Sequence, residues 1–178
     1  SLRELHFESC GAFPVLFKAI APGLEGNRSL QVLDLYGSNL GGCGPAMVSL
    51  LESNEAISAL NLQASYGWYP EELEMVIGAV AENTTLRELY FHHLNLDADF
   101  RPALGATIGA VLKSNQNLQS LSIHSKLDLA NVMFIQQGLQ ANTGLRYFDP
   151  GTILAEDNAE GTTDATDALN DLFATNSR

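Results

Sequence analysis

The sequence predicts an α/β solenoid, with short parallel strands along a concave face and helices along the convex one. Three observations carry that reading. First, an apolar phrase at relative positions 0, 3 and 5 recurs along the chain. It reads Leu2-Leu5-Phe7, Leu30-Leu33-Leu35, Ile57-Leu60-Leu62, Leu86-Leu89-Phe91 and Leu118-Leu121-Ile123, with a degraded copy at Leu145-Phe148. The starts at 2, 30, 57, 86, 118 and 145 are 28, 27, 29, 32 and 27 residues apart. Second, an Asn stands three residues ahead of each later phrase, at Asn27, Asn54, Asn83, Asn115 and Asn142, and Asn176 continues the series. Third, a helix-like apolar stripe separates successive phrases. Two markers in phase over five periods define a repeat.

Each part of the unit has a physical reason. Apolar residues at positions 3 and 5 alternate with polar neighbours, the period-2 pattern of a strand with one buried face. The intervening runs keep helical stripes: Met47, Leu50 and Leu51; Leu73, Val76, Ile77 and Val80; Leu104, Ile108, Val111 and Leu112; Val132, Ile135 and Leu139. Pro45, Pro70 and Pro102 stand near helix starts, where a missing N–H costs little. The recurring Asn falls where each helix must stop, a place suited to the left-handed conformation that Asn tolerates. One strand and one helix cannot bury a core alone, so the units must stack.

The pattern L-x-x-L-x-L-x-x-(N/C)-x-L with a full helix per period resembles the leucine-rich repeats of the ribonuclease-inhibitor type. Leu30, Val32, Leu33, Asp34, Leu35, Leu40, Gly44 and Leu51 follow it, and Cys10 fills the N/C place of the first repeat. The resemblance covers the whole chain and implies a right-handed horseshoe arc of about six repeats. Ser38, Ser65, Leu94, Lys126 and Ile153 depart from the usual Asn or Cys, so the polar ladder at that place is expected to be weak.

Taken in order, repeat one has Phe13-Pro14 leading a helix through Ile20, with Pro22 and Gly23 interrupting it. Repeat three carries the turn Ser65-Tyr66-Gly67-Trp68-Tyr69-Pro70, and repeat four is widened by His92-His93 and Asp97 to Phe100. Residues 151–164 read as an acidic insertion loop in the last repeat, before a helical stretch near 165–174. Residues 1–178 thus form one repeat domain. With polar end units lacking, the chain is expected to be a piece of a longer repeat protein.

Twenty-one acidic residues against nine basic ones give a net charge of −12. Such a field disfavours nucleic acid and anionic membranes and favours basic or neutral partners. No apolar run is long enough to cross a membrane and the start is not a signal peptide. Cys10 and Cys43 fall in different repeats and read as thiols in a reducing compartment, which places the chain in a cytoplasm.

No phosphate-cradling loop, zinc-protease helix, CxxC pair or nucleophile elbow occurs, and no acid–base pair emerges. The stretch from Asp157 to Gly161 lacks the ligand spacing of a calcium loop. Asn27 and Asn83 head glycosylation sequons but belong to the repeated Asn series. The expectation is a non-enzyme with no cofactor and no metal. If positions 0, 3 and 5 point inward, positions 2, 4 and 6 face the concave side. There Tyr36, Gln63, Glu88, Tyr90, His92, His124 and Tyr147 make a palette suited to a protein partner. His92 and His124 should be neighbours with His93 beyond, without the carboxylate that a metal would need. Trp68, between Tyr66 and Tyr69, either anchors a partner at the rim or folds back under its turn.

The leading expectation is a protein-interaction scaffold, monomeric or weakly dimeric through its open sheet ends. Two alternatives come from other classes. One is a regulator of catalysis similar to the Ran GTPase-activating proteins. The other is the recognition part of a larger protein such as a bacterial effector, acting in the host cytoplasm.

Overall fold

The computed structural model describes residues 2–11, 13–91, 101–127 and 129–153. Strands and helices alternate along them: β1 (Glu4–His6), α1 (Phe13–Glu25), β2 (Val32–Asp34), α2 (Gly44–Ser53), β3 (Ala59–Asn61), α3 (Pro70–Glu82), β4 (Glu88–Tyr90), α4 (Arg101–Ser114), β5 (Ser120–Leu127), α5 (Leu129–Ala141) and β6 (Tyr147–Ile153). The strands pair in chain order, all parallel, in one six-stranded sheet. Register follows the repeat phrase: Glu4, Val32, Ala59, Glu88, Ser120 and Tyr147 run across the sheet as neighbours. A strand–helix–strand connection returns in parallel, so sheet and helices form separate layers with the core between them. This is an α/β leucine-rich repeat solenoid.

The core is the repeat phrase plus the helix stripes. Leu30, Leu33, Leu35, Leu60, Leu62, Leu86, Leu89, Phe91, Leu118, Leu121 and Ile123 are buried, and Phe13, Phe17, Met47, Leu73, Val80 and Ile135 meet them from the helices. Each such side chain contributes about 1.5–3 kcal/mol through burial. Leu2 departs from the pattern: it precedes β1 and is largely exposed. Helix α1 also runs further than expected, through Pro22 to Glu25. Its buried stripe of Phe13, Phe17, Ala21 and Leu24 holds the last turn on the sheet, while Pro22 and Gly23 lie on the exposed side. Packing here overrides the breaker signal.

The repeated asparagines are a ladder, and they do not adopt the left-handed conformation expected of them. Asn54 and Asn83 cap α2 and α3 with extended backbones, at φ −82°, ψ 128° and φ −72°, ψ 129°. Each side chain works in two directions. The Oδ1 of Asn115 accepts the N–H groups of Asn117 and Leu118 at 2.8 and 2.9 Å, shaping the turn into β5. Its Nδ2 donates to the Val80 and Asn83 carbonyls of the preceding repeat at 2.6 and 2.9 Å. Asn54 reaches Leu24 and Asn27, Asn83 reaches Leu51, and Asn142 reaches Leu112 and Asn115 in the same way. A helix leaves its last carbonyls unpaired, and the next repeat's Asn supplies the donor.

The left-handed conformation sits instead seven residues into the phrase. Ser9, Gly37 and Ala64 have φ of 53°, 64° and 53°, which turns the chain out of β1, β2 and β3. Only glycine adopts this region without cost. Ala64→Gly should therefore raise the unfolding free energy by about 0.5–1 kcal/mol, the reverse of the usual glycine penalty. Equilibrium urea unfolding reads this, and a destabilised variant would contradict it.

Part of the stretch expected as an acidic loop, residues 151–153, is strand. Residues 151–153 continue β6, pairing Gly151, Thr152 and Ile153 with Ser125, Lys126 and Leu127 beyond a register shift. The remainder of that loop and the helix expected after it lie outside the described residues, as do Leu94 and the Asp97 to Phe100 stretch.

Candidate functional site

Because positions 3 and 5 point into the core, the strands present positions 2, 4 and 6 on the opposite face. Toward its C-terminal end this face is organised around Tyr90, which is half-buried. Its hydroxyl donates to Glu88 Oε2 at 2.8 Å, and the Ser120 hydroxyl lies 3.4 Å away. Burial raises the Tyr90 hydroxyl above its ordinary value of 10; the Ser120 hydrogen bond opposes that shift, and the Glu88 carboxylate and the nearby Tyr147 hydroxyl add to it. Tyr147, Ser120's neighbour on β6, is 52% exposed. A donor–acceptor pair with tyrosine rings beside it can dock both apolar surface and hydrogen-bonding groups.

Toward the N-terminal end the face is acidic. His6 on β1 has Nδ1 3.2 Å from Asp34 Oδ2 and Nε2 3.4 Å from Glu4 Oε2. The Asp34 bond, then the Glu4 bond, raises the His6 pKa above 6.5. A group with a raised folded pKa contributes stability that is present below its unfolded value and lost as pH rises through the folded one. Asp34→Asn should bring the His6 midpoint, followed by NMR, back toward 6.5. An unmoved midpoint would remove Asp34 as the cause.

Position 4 also has a structural duty that its spacing does not reveal. Asp34, Asn61 and Asp149 each accept the N–H two residues on, from Tyr36, Gln63 and Gly151, at 3.0, 3.0 and 3.1 Å. These short turns hold Tyr36 and Gln63 where the strands end. Tyr36 is 44% exposed and Gln63 half-buried. Among the described residues, positions 2, 4 and 6 carry Glu4, Glu8, Asp34, Glu88 and Asp149 and no Lys or Arg. Arg87, one place earlier, is turned to the rim, where Nη1 donates to the Thr84 and Asn117 carbonyls.

Of the other expected site residues, His92 lies outside the described residues, and His124 is placed on β5 with its side chain undescribed. Trp68 packs against the core and donates Nε1–H to the buried Ser65 Oγ at 2.9 Å. That leaves Tyr66 and Tyr69, 52% and 56% exposed, as the rim aromatics. Ser38 and Ser65 fill the N/C place with bonds of their own. Ser38 Oγ donates to the Phe7 carbonyl at 2.8 Å, across repeats. Both cysteines are free, and burial lifts the Cys43 thiol to about 11. Among the described residues no group of three metal-binding side chains comes together, and no helix is long and apolar enough to cross a membrane.

Similar folds occur among solved structures. The chain aligns over 97% of its length with 79% of a structure titled leiomodin-1 actin-binding site 2, at 16% identity and a TM-score of 0.53. It aligns over 99% of its length with 84% of the tropomodulin C-terminal domain of Caenorhabditis elegans, at 12% identity and a TM-score of 0.56. No protein-family model matches the chain, and no curated protein does. These neighbours correct the expected subtype: the solenoid is similar to tropomodulin-type leucine-rich repeats and is not of the ribonuclease-inhibitor type. The misleading signal was the strand phrase. The cross-repeat side-chain amides lie at the helix-to-strand turns, on Asn54, Asn83, Asn115 and Asn142, while serines hold the N/C place after the strands of repeats two and three. Neither neighbour supports a GTPase-activating regulator or a bacterial effector.

Proposed function

We propose that this domain is a non-enzymatic protein-binding scaffold whose partner lies along the concave strand face. A binding role for a fold of this kind is supported by the leiomodin-1 structure, whose title names an actin-binding site. The observation that carries the concave assignment is a tyrosine and carboxylate surface free of Lys and Arg among its described residues: Tyr36, Glu88 and Tyr147 are exposed, and half-buried Tyr90 lies among them with its hydroxyl bonded to Glu88. Interface centres favour aromatics, and an acidic rim favours a partner with basic groups. Two free cysteines are consistent with a reducing, cytoplasmic setting.

Filamentous actin is the first partner to test. In a pelleting assay the wild-type chain should sediment with filaments, and a Tyr36→Ala, Tyr90→Ala, Tyr147→Ala triple variant should lose about tenfold or more in affinity while keeping its circular dichroism. Equal pelleting of both would move the site off the concave face. If neither pellets, actin is excluded, and the same two proteins then serve as bait for other partners.

A further inference from the structure

We propose that, independently of the concave face, two copies of this chain pack together through the convex surface of α4 and α5. The helices differ in charge. Across α1, α2 and α3 lie Glu25, Glu52, Glu71, Glu72, Glu74 and Glu82, whereas α4 and α5 contain no Asp or Glu and include Arg101 and Lys113. In a chain of net charge −12, two copies meeting through α2 and α3 would set carboxylate against carboxylate. The α4–α5 surface avoids this, since it sets no carboxylate of its own against the second copy.

The same surface has a shape that complements itself. Ala106, Gly109, Ala110 and Gly138 line a groove between the two helices, with Phe134 along one side and Lys113 at the rim. Beside the groove Met133 and Phe134 stand 61% and 43% exposed. Large apolar side chains next to a trough of small residues form a ridge and a groove on one face. A two-fold axis seats the ridge of each copy in the groove of the other, as an isologous contact requires.

Sedimentation equilibrium of the whole chain, over a dilution series reaching millimolar, tests this. The expected result is a concentration-dependent dimer that tightens as salt screens the remaining repulsion. Phe134→Glu and Ala110→Glu should each weaken it at least about tenfold, with the melting temperature of the dilute monomer unchanged. Phe134→Ala, which removes the ridge without adding charge, keeps the test open if a Glu variant fails to fold. A chain monomeric throughout the series overturns the proposal and leaves the face to another protein. A dimer that all three variants leave intact overturns it too, and points to pairing at the open edges of β1 or β6.

Discussion

Asn115→Ala is expected to lower the unfolding free energy by about 3 kcal/mol, among the largest effects of any polar substitution in this chain. Asn115 is buried, and its amide makes four hydrogen bonds, two within its own turn and two to the preceding repeat. Alanine removes all four. It takes the side-chain donor from the Asn83 carbonyl, away from water, and leaves the Val80 carbonyl with the Asn83 N–H alone, at 3.2 Å; a buried polar group left without a partner costs about 1–3 kcal/mol. Asn115→Asp separates the two halves of the role. It keeps an acceptor for the Asn117 and Leu118 N–H groups but turns an oxygen toward two carbonyls, so it should be at least as harmful as alanine at neutral pH. Asn27 is the internal comparison: among the described residues it is half-buried and bonded through Oδ1 alone, to Ser29 and Leu30. Asn27→Ala should cost only about 1 kcal/mol. Urea unfolding of the three variants reads these values, and equal losses at Asn27 and Asn115 would contradict the cross-repeat ladder.

Gly109→Val is the second large effect. Helices α4 and α5 approach closely enough that a Cβ on Gly109 would stand 2.5 Å from the Phe134 carbonyl oxygen and 2.8 Å from its carbon. A Cβ on Gly138 would meet the Gly109 carbonyl oxygen at 2.6 Å. The obstacle at both positions is backbone, which cannot swing aside as a side chain can. Valine must push the two helices apart, at a cost of about 2–3 kcal/mol, well above the few tenths it returns in helix propensity. Gly78 in α3 gives the contrast, since a Cβ there meets nothing within 4 Å. Gly78→Ala should stabilise by about 0.5–1 kcal/mol. Opposite signs at Gly109 and Gly78 are the expected outcome in thermal or urea unfolding; the same sign at both would mean that the helix contact is looser than the structure has it.

The architecture was legible because the apolar phrase repeats. Leu33, Leu60, Leu89, Leu121 and Phe148 occupy equivalent, buried places, so a period-2 pattern at a fixed interval identified both the strands and their stacking order. The recurrence of Asn at a fixed offset was equally visible, but its task was not. A single sequence shows that Asn54 ends a helix, and two mechanisms fit that position: a left-handed cap, or a side chain reaching to the previous repeat. Only the spatial neighbourhood of Leu24 and Asn27 distinguishes them. Helix α1 outran its Pro22 for a related reason, since local propensity carries no information about what Leu24 packs against.

At the candidate site the alternation placed Tyr36, Glu88, Tyr90 and Tyr147 on one face, and the sheet register makes Glu88, Ser120 and Tyr147 neighbours. The Tyr90–Glu88–Ser120 contacts and the His6–Asp34–Glu4 cluster were not legible, because they depend on side-chain rotamers as well as register. Nor was the role of Glu72, a carboxylate in the first turn of α3 that accepts the Gly42 and Gly44 N–H groups at 2.9 and 3.3 Å and so caps α2. Read alone, Glu72 is one more acid at a helix start. The small-residue stripe of α4 and α5 was visible as composition, yet the approach it permits appears only when Gly109 and Gly138 face one another.

The most direct test of the central claim, that partners lie along the concave strands, is site-specific photo-cross-linking in lysate of the source cells. A photoreactive phenylalanine analogue is placed singly at Tyr36, Tyr90 or Tyr147, and in parallel at the exposed convex residues Ser53 and Met75. One shared cross-linked protein is expected from the three concave positions, and none of it from the convex pair. The same protein captured from Ser53 and Met75 while the tyrosine positions stay silent would contradict it.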